Sequence, residues 1–269
     1  MKVGRFPLFL EGPVRWTKTV IDDKDALRDM YAKVKKSGLR DEELKMYFLS
    51  ASLKGQSYDM GRMMAFSPGW LENQSIWMHM SYKYYLQLLR GGLYEEFFDE
   101  MRGGGMLPYM DPKKYGRSLM ECSSFLASSA FPDPTFHGRG FSARLSGSTA
   151  EFLSMWKLIF LGPELFSLDD GVLKFQFRPA LPFWMFKEEG SDSTYDAEGN
   201  PTISFKLFSK IFVTYHNSQG DNLYDVSPET YKVTMEDGTI TVIDDSAIAG
   251  DLAKAIRITH DVKSIDAYF

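Results

Sequence analysis

Cysteine is almost missing from this sequence: Cys122 stands alone in 269 residues. One thiol closes no internal disulfide and gives no Cys-x-x-Cys spacing for a metal, so Cys122 is expected to be a small apolar filler in a reducing compartment. Long apolar runs are missing as well. Nothing approaches the ~18 residues needed to span a bilayer, and no basic start followed by an apolar stretch marks a secretion signal. A cytoplasmic location without a membrane partner is expected. A basic field is also lacking: the formal net charge is -5 and the pI near 5.5, with no cluster of Lys and Arg to neutralise phosphates, so no nucleic-acid partner is expected.

The signatures of several chemistries are absent too. There is no G-x-G-x-x-G or Walker loop, and Gly103-Gly104-Gly105 has neither spacing and reads as a turn. There is no H-E-x-x-H zinc pair and no G-x-S-x-G nucleophile elbow. His216 and His260 lie in or beside expected strands without ligand spacing. Carboxylate pairs such as Asp169-Asp170 and Asp244-Asp245 fall in turn-like, solvated stretches. No metal or organic cofactor is expected.

What the chain does have is aromatic and patterned. Aromatic residues make up 15% and hydrophobic ones 44%, enough for a packed core and for clefts where sugar rings stack on aromatic faces. Up to about Gly162 the apolar spacing is helical. Asp23 to Lys36 carries Leu27, Met30, Tyr31 and Val34 on one stripe and is followed by Gly38, while Ser67-Pro68 is a cap and first-turn proline for a long helix to Arg90, ended by Gly91-Gly92. Leu93 to Met101 is a shorter helix. Ser148-x-x-Glu151 is a capping box opening a helix to Phe160, which Gly162-Pro163 stops.

Beyond Gly162 the chain alternates: Val172 to Arg178, Thr202 to Phe205, Ile211 to Tyr215, Tyr231 to Met235, Ile240 to Ile243, Ala255 to Ile258 and Ile265 to Phe269 read as short strands between turns. The expected class is α+β, with a helical domain at 1–162 and an antiparallel β domain at 163–269. The helices are few for the apolar surface they carry. Further protein is expected to cover them, either more of the same fold or a partner chain.

Two places suit chemistry. On one long helix Glu72 and His79 would be seven residues apart, about 10 Å along the axis and on one face, so that an acid and an imidazole look into one cavity; a core histidine near an unrelated Glu leaves the same pattern. Leu145-Ser-Gly-Ser-Thr-Ala-Glu151 places Ser146 and Gly147 just before a capped helix. Free N–H groups and the positive end of the helix dipole there favour an anion such as phosphate, or make a plain cap. Glu151 opposes the anion unless its carboxylate turns away.

Five stretches resemble glycoside hydrolase family 94, the cellobiose and chitobiose phosphorylases, and are most similar to its 1,2-β-oligoglucan phosphorylase branch. They are Gly69-Trp-Leu-Glu-Asn-Gln-Ser-Ile-Trp-Met-His79, Tyr94-Glu-Glu-Phe-Phe98, Tyr115-Gly-Arg-Ser-Leu-Met-Glu-Cys-Ser-Ser-Phe125, His137-Gly-Arg-Gly-Phe141 and Leu145-Ser-Gly-Ser-Thr-Ala-Glu-Phe152. The resemblance runs over nearly the whole chain. It implies the last helices of an (α/α)6 barrel followed by a small β domain. It implies that Glu72 and Glu121 contact sugar and that His79, Ser146 and Gly147 contact phosphate, although Cys122-Ser-Ser replaces the family's Pro-Tyr-Val after Glu121. Inorganic phosphate would be the co-substrate and a β-glucan or β-glucoside oligosaccharide the donor. The general-acid Asp would lie upstream, so no catalytic residue falls on this chain, and the rest of the barrel or a partner chain would complete the site. Two other functions fit the residues: a related inverting hydrolase in which Glu72 activates water, and a non-catalytic carbohydrate-binding or structural module.

Overall fold

The computed structural model describes residues 5–106, 111–116, 124–141, 146–186 and 194–269. The fold is α+β, with two compact units, Met1–Met155 and Trp156–Phe269. The change of sequence character at Gly162 thus lies six residues past the first residue of the second unit, and the helix Ser146–Leu161 contributes residues to both.

In the first unit, α1 (Glu11–Thr19) buries Val14 and Thr17, and α2 (Lys24–Lys35) starts where the Asp23 carboxylate accepts the Ala26 N–H at 3.0 Å. Leu27, Tyr31 and Val34 are the buried stripe of α2. A two-residue hairpin follows, β1 (Arg40–Asp41) and β2 (Met46–Tyr47), with Arg40 opposite Tyr47. Asp41 is completely buried and holds the hairpin turn by accepting from the Glu43 and Leu44 N–H groups, and it also accepts the Ser129 N–H at 2.9 Å.

The long helix expected from Pro68 to Arg90 is shorter. Residues 68–75 are turn, β3 is Ile76–Trp77, and α3 runs Met78–Arg90, ending at Gly91 and Gly92 as the sequence indicates. α3 is buried nearly all round, which fits its unbroken apolar run. The other end fails for a local reason. Leu71 and Gln74 take left-handed backbone angles (φ 48° and 55°), and Asn73 donates from its side chain to the Phe66 carbonyl at 2.7 Å. Such side-chain bonds offer the backbone an alternative to the helix.

α4 (Tyr94–Glu100) passes directly into a wide turn, Met101–Gly105. Gly104 has φ 150°, and a Cβ there would sit 2.3 Å from the Leu44 carbonyl oxygen, while one on Gly105 would sit 2.7 Å from the Glu100 carbonyl oxygen, so these two glycines are packing requirements.

Under that turn lies the charged centre of the unit. The Glu100 side chain is entirely buried and accepts from the Tyr31 hydroxyl at 2.8 Å, the Tyr47 hydroxyl at 2.9 Å and the Arg40 guanidinium; Lys35 Nζ is 3.4 Å away. Burial and the nearby carboxylate push both phenols far above their usual range, so they remain donors.

The second unit is built on a six-stranded sheet ordered β14-β13-β16-β11-β10-β9. These are β9 (Thr194–Tyr195), β10 (Pro201–Leu207), β11 (Ile211–His216), β13 (Thr230–Met235), β14 (Ile240–Ile243) and β16 (Val262–Tyr268). The expected all-antiparallel domain is corrected at one place: β11 and β16 pair in parallel, Val213 opposite Ile265 and Tyr215 opposite Ala267. Their alternating residues Ile211, Val213, Tyr215, Ile265 and Ala267 are buried, and the Phe177 ring meets Tyr215 edge-on at 5.1 Å. Residues 255–258 are not a strand; the helix Gly250–Lys254 continues through them as a wide turn. Strands β6 (Phe166–Asp169), β7 (Val172–Phe175) and β15 (Ile248–Ala249) form a smaller sheet, and β8 (Ala180–Leu181) pairs with β12 (Leu223–Tyr224).

At the end of the interior strand β11 His216 lies between two carboxylates, Nδ1 2.9 Å from Asp196 and Nε2 3.1 Å from Asp266, with the Tyr268 ring stacked at 4.3 Å. Burial lowers the imidazole pKa, but the two carboxylates outweigh it and the net shift is upward. Burial pushes the Asp196 carboxyl up, and hydrogen bonds from His216 and Asn200 outweigh this and hold it at about 2.

Two outcomes follow. Removing only Glu100, as Glu100→Ala, leaves Arg40 buried without its partner and is expected to cost about 3–5 kcal/mol in urea unfolding; a loss below about 1 kcal/mol would show the cluster to be incidental. An imidazolium favoured in the folded state adds stability that is full below about pH 6.5 and fades as pH rises through the folded pKa. The stability advantage of the native chain over His216→Gln is therefore expected to shrink as pH rises above about 6.5 and through the raised folded-state pKa. A pH-independent difference would remove the charged state from His216.

Candidate functional site

Three short strands hold the aromatic heart of the first unit: β3, β4 (Phe125–Leu126) and β5 (Gly140–Phe141), with Trp77 opposite Phe125 and Phe125 opposite Phe141. Directly opposed residues share a face of a sheet, so their rings line up. Trp77 and Phe125 are stacked with centroids 5.4 Å apart, Phe125 and Phe141 at 5.7 Å, and Phe141 and Phe136 at 6.0 Å. Trp70 packs edge-on against Phe125 and Phe141. Each such pair adds about 0.5–1.5 kcal/mol beyond buried area.

The turn that replaces the expected helix is fitted to this row. Gly69 has φ 79°, and a Cβ on it would lie 2.3 Å from the Phe131 nitrogen. The Trp77 indole N–H donates to the Leu71 carbonyl at 2.7 Å.

His79 follows Trp77 into the first turn of α3, its ring edge-on to the indole at 5.6 Å. Its Nδ1 is buried without a hydrogen-bond partner among the described residues. Burial lowers the imidazole pKa, Lys83 one turn further along lowers it more, and Glu11 opposes both more weakly. The ring is thus held neutral at pH 7, with one nitrogen unused.

Glu72 is placed differently from the sequence expectation. It lies outside α3, so the shared helical face with His79 does not exist, and its carboxylate forms a forked pair with Arg62. Ser146 and Gly147 also shift: the helix begins at Ser146, so they occupy its first turn, and Ser148 is an interior residue instead of a cap. The Phe152 ring of that helix lies 6.0 Å from Tyr82 of α3, which makes the helices carrying His79 and Ser146 neighbours. Glu121 and Cys122 lie outside the described residues.

No family model and no curated protein matches this sequence. Among the described residues, no group of three or more His, Cys, Asp and Glu is placed to hold a metal ion, and no helix is long and apolar enough to cross a membrane.

Spacing alone missed the buried Glu100. Glu100 belongs to the inward face of α4 with Phe97, and an acid on an apolar helical face was the available signal. His137 was also missed. Its Nδ1 is 3.0 Å from Glu43 and its Nε2 2.8 Å from the Phe131 carbonyl, which ties the loop beneath Trp70 to the β1–β2 turn.

The His79 environment is directly measurable. Its ring protons are expected to titrate below the usual histidine value of about 6.5, and Lys83→Gln is expected to move the midpoint upward by removing a like charge. A midpoint at or above that value in the native chain would show that the ring is not desolvated.

Proposed function

We propose that this chain contributes the phosphate side of the active site of an inverting glycoside phosphorylase of the family 94 kind. The observation that carries the proposal is the buried, unpartnered Nδ1 of His79, beside Trp77 and one helical turn from Lys83. A buried polar atom without a partner costs about 1–3 kcal/mol, a cost that a bound ligand can offset. The proximity of Lys83 favours an anionic ligand. The contact of α3 with the helix that starts at Ser146-Gly147 supports the same assignment, because first-turn N–H groups are anion donors. We assign α1–α4 and the helix Ser146–Leu161 to the wall of an (α/α)6 barrel, for which the nearly all-round burial of α3 is suited.

In the reaction, a phosphate oxygen attacks the anomeric carbon of a β-glucoside while the bond from that carbon to the glycosidic oxygen breaks. The leaving oxygen takes a proton from a carboxylic acid, and the sugar 1-phosphate forms with inversion. Phosphate stands where an inverting hydrolase uses activated water, so a second carboxylate as base is unnecessary. Neutral His79 donates to a phosphate oxygen from one nitrogen, and the Ser146 and Gly147 amides add donors that spread its charge. Glu72, anchored by Arg62, fits a sugar-hydroxyl acceptor. A β-glucan or β-glucoside oligosaccharide is the proposed donor, and we assign the general acid to no residue of this chain.

Calorimetric titration with inorganic phosphate is the test. The chain is expected to bind it, and His79→Ala to weaken binding at least tenfold, about 1.4 kcal/mol. Absence of binding, or an unchanged affinity in His79→Ala, would sink the assignment. With β-glucan and phosphate present the chain alone is expected to release no sugar 1-phosphate. Free sugar appearing at one rate with and without phosphate would replace phosphorolysis by hydrolysis.

A further inference from the structure

The aromatic row has two ends, and only one is used above. At the end away from Trp77, the Arg139 guanidinium lies over the Phe136 ring, 5.8 Å from its centroid. It borders a cleft of about 320 Å³ lined by Tyr115, Gly116, Phe136, Arg139, Gly140 and Phe141. Arg139 is exposed and has no ion-pair partner among the described residues. One acid in its field, Asp133, accepts from the Thr135 N–H and hydroxyl at 2.9 and 2.8 Å. Gly116 has φ 78°, a left-handed angle that favours glycine, and it borders the Arg139 side chain.

We propose that this cleft is a binding site for a small anionic sugar of the hexose-phosphate class, separate from the phosphate site at His79. The chemistry is that of the walls. A guanidinium without an ion-pair partner among the described residues can recognise phosphate oxygens in pairs. The offset rings of Phe136 and Phe141 give an apolar wall suited to the C–H face of a pyranose. Size decides between sugar phosphates and larger aromatic anions. Ligand pockets run from about 300 to 1,000 Å³, and this one lies at the small end, enough for a monosaccharide phosphate and too little for a dinucleotide.

The separation from His79 follows from strand direction. His79 lies two residues beyond Trp77, whereas Arg139 lies two residues before Phe141, and β3 and β5 run the same way on either side of β4. The two side chains therefore belong to opposite ends of the three-stranded ladder.

Glucose 6-phosphate, glucose, inorganic phosphate and AMP, each titrated calorimetrically into the full chain, test the site. Glucose 6-phosphate is expected to bind, Arg139→Gln to weaken it at least tenfold, and His79→Ala to leave it unchanged. Phe136→Leu is expected to weaken glucose 6-phosphate and to leave inorganic phosphate as it was. Circular dichroism of Arg139→Gln should match the native chain, because that side chain is exposed. Four results would each overturn the proposal: no binding of glucose 6-phosphate, equal affinity in Arg139→Gln, loss of binding in His79→Ala instead, or tighter binding of AMP. The His79 assignment is read independently, from inorganic phosphate and His79→Ala.

Discussion

Glu100 carries a carboxylate to a place without access to water, and three stretches of chain must close on it before it can stay there. Tyr31 comes from α2, Arg40 and Tyr47 from the two strands of the hairpin, and the carboxylate from the last turn of α4. A buried charge is tolerated only when paired and fully hydrogen-bonded, so the geometry of these elements is set jointly and not pair by pair. The aromatic faces of Tyr84 and Tyr85 enclose Tyr47, at 4.9 and 6.1 Å, and bring α3 into the same arrangement. The glycines after Glu100 belong to this constraint, since the chain must leave the buried acid through a space that Leu44 and Tyr85 nearly fill.

The candidate site stands on a different footing. Its frame is a ladder of three two-residue strands, each too short to persist alone, held by the rings that cross it. The left-handed residues and side-chain bonds of 69–75 fix where Trp70 and Trp77 enter. His79 then inherits its position from Trp77 and its neutrality from burial and Lys83. Among the described residues, one frame thus supplies a nitrogen without a hydrogen-bond partner at one end and a guanidinium without an ion pair at the other.

Much of the fold was legible in the sequence where one physical rule acted alone. The Leu27, Met30, Tyr31, Val34 stripe between Asp23 and Lys36 located α2 within a residue at each end. Alternation gave β11, β13 and β14, and Gly91-Gly92 and Gly162 marked helix ends. The failures have competing causes. Ser67-Pro68 is a valid helix start, but Gly69, Asn73 and the left-handed Leu71 and Gln74 override it through contacts distant in sequence. Pro13 and Gly12 obscured α1, because they sit inside nine residues that only burial of Val14 and Thr17 makes helical. Residues 255–258 are apolar and branched like a strand, yet they continue a helix. For the site, His79 and the Ser146-Gly147 turn were legible as residue types and resemblance. The pairing of Glu72 with Arg62, the burial of Glu100 and the cleft at Arg139 depend on long-range packing, which spacing does not encode.

The parallel pairing of β16 with β11 has a kinetic consequence. β16 is the only strand joining β14-β13 to β11-β10-β9, and it follows both in the chain. Neither half of the sheet can complete its ladder until that strand arrives, so each carries an open edge during synthesis, with backbone donors and acceptors ready for any other strand. Contacts so far apart in sequence form late and slowly, and the sheet is expected to consolidate in one step when β16 inserts. In a growing chain the hazard is therefore concentrated in time, between the emergence of β11 and the arrival of Ile265 and Ala267 against Val213 and Tyr215.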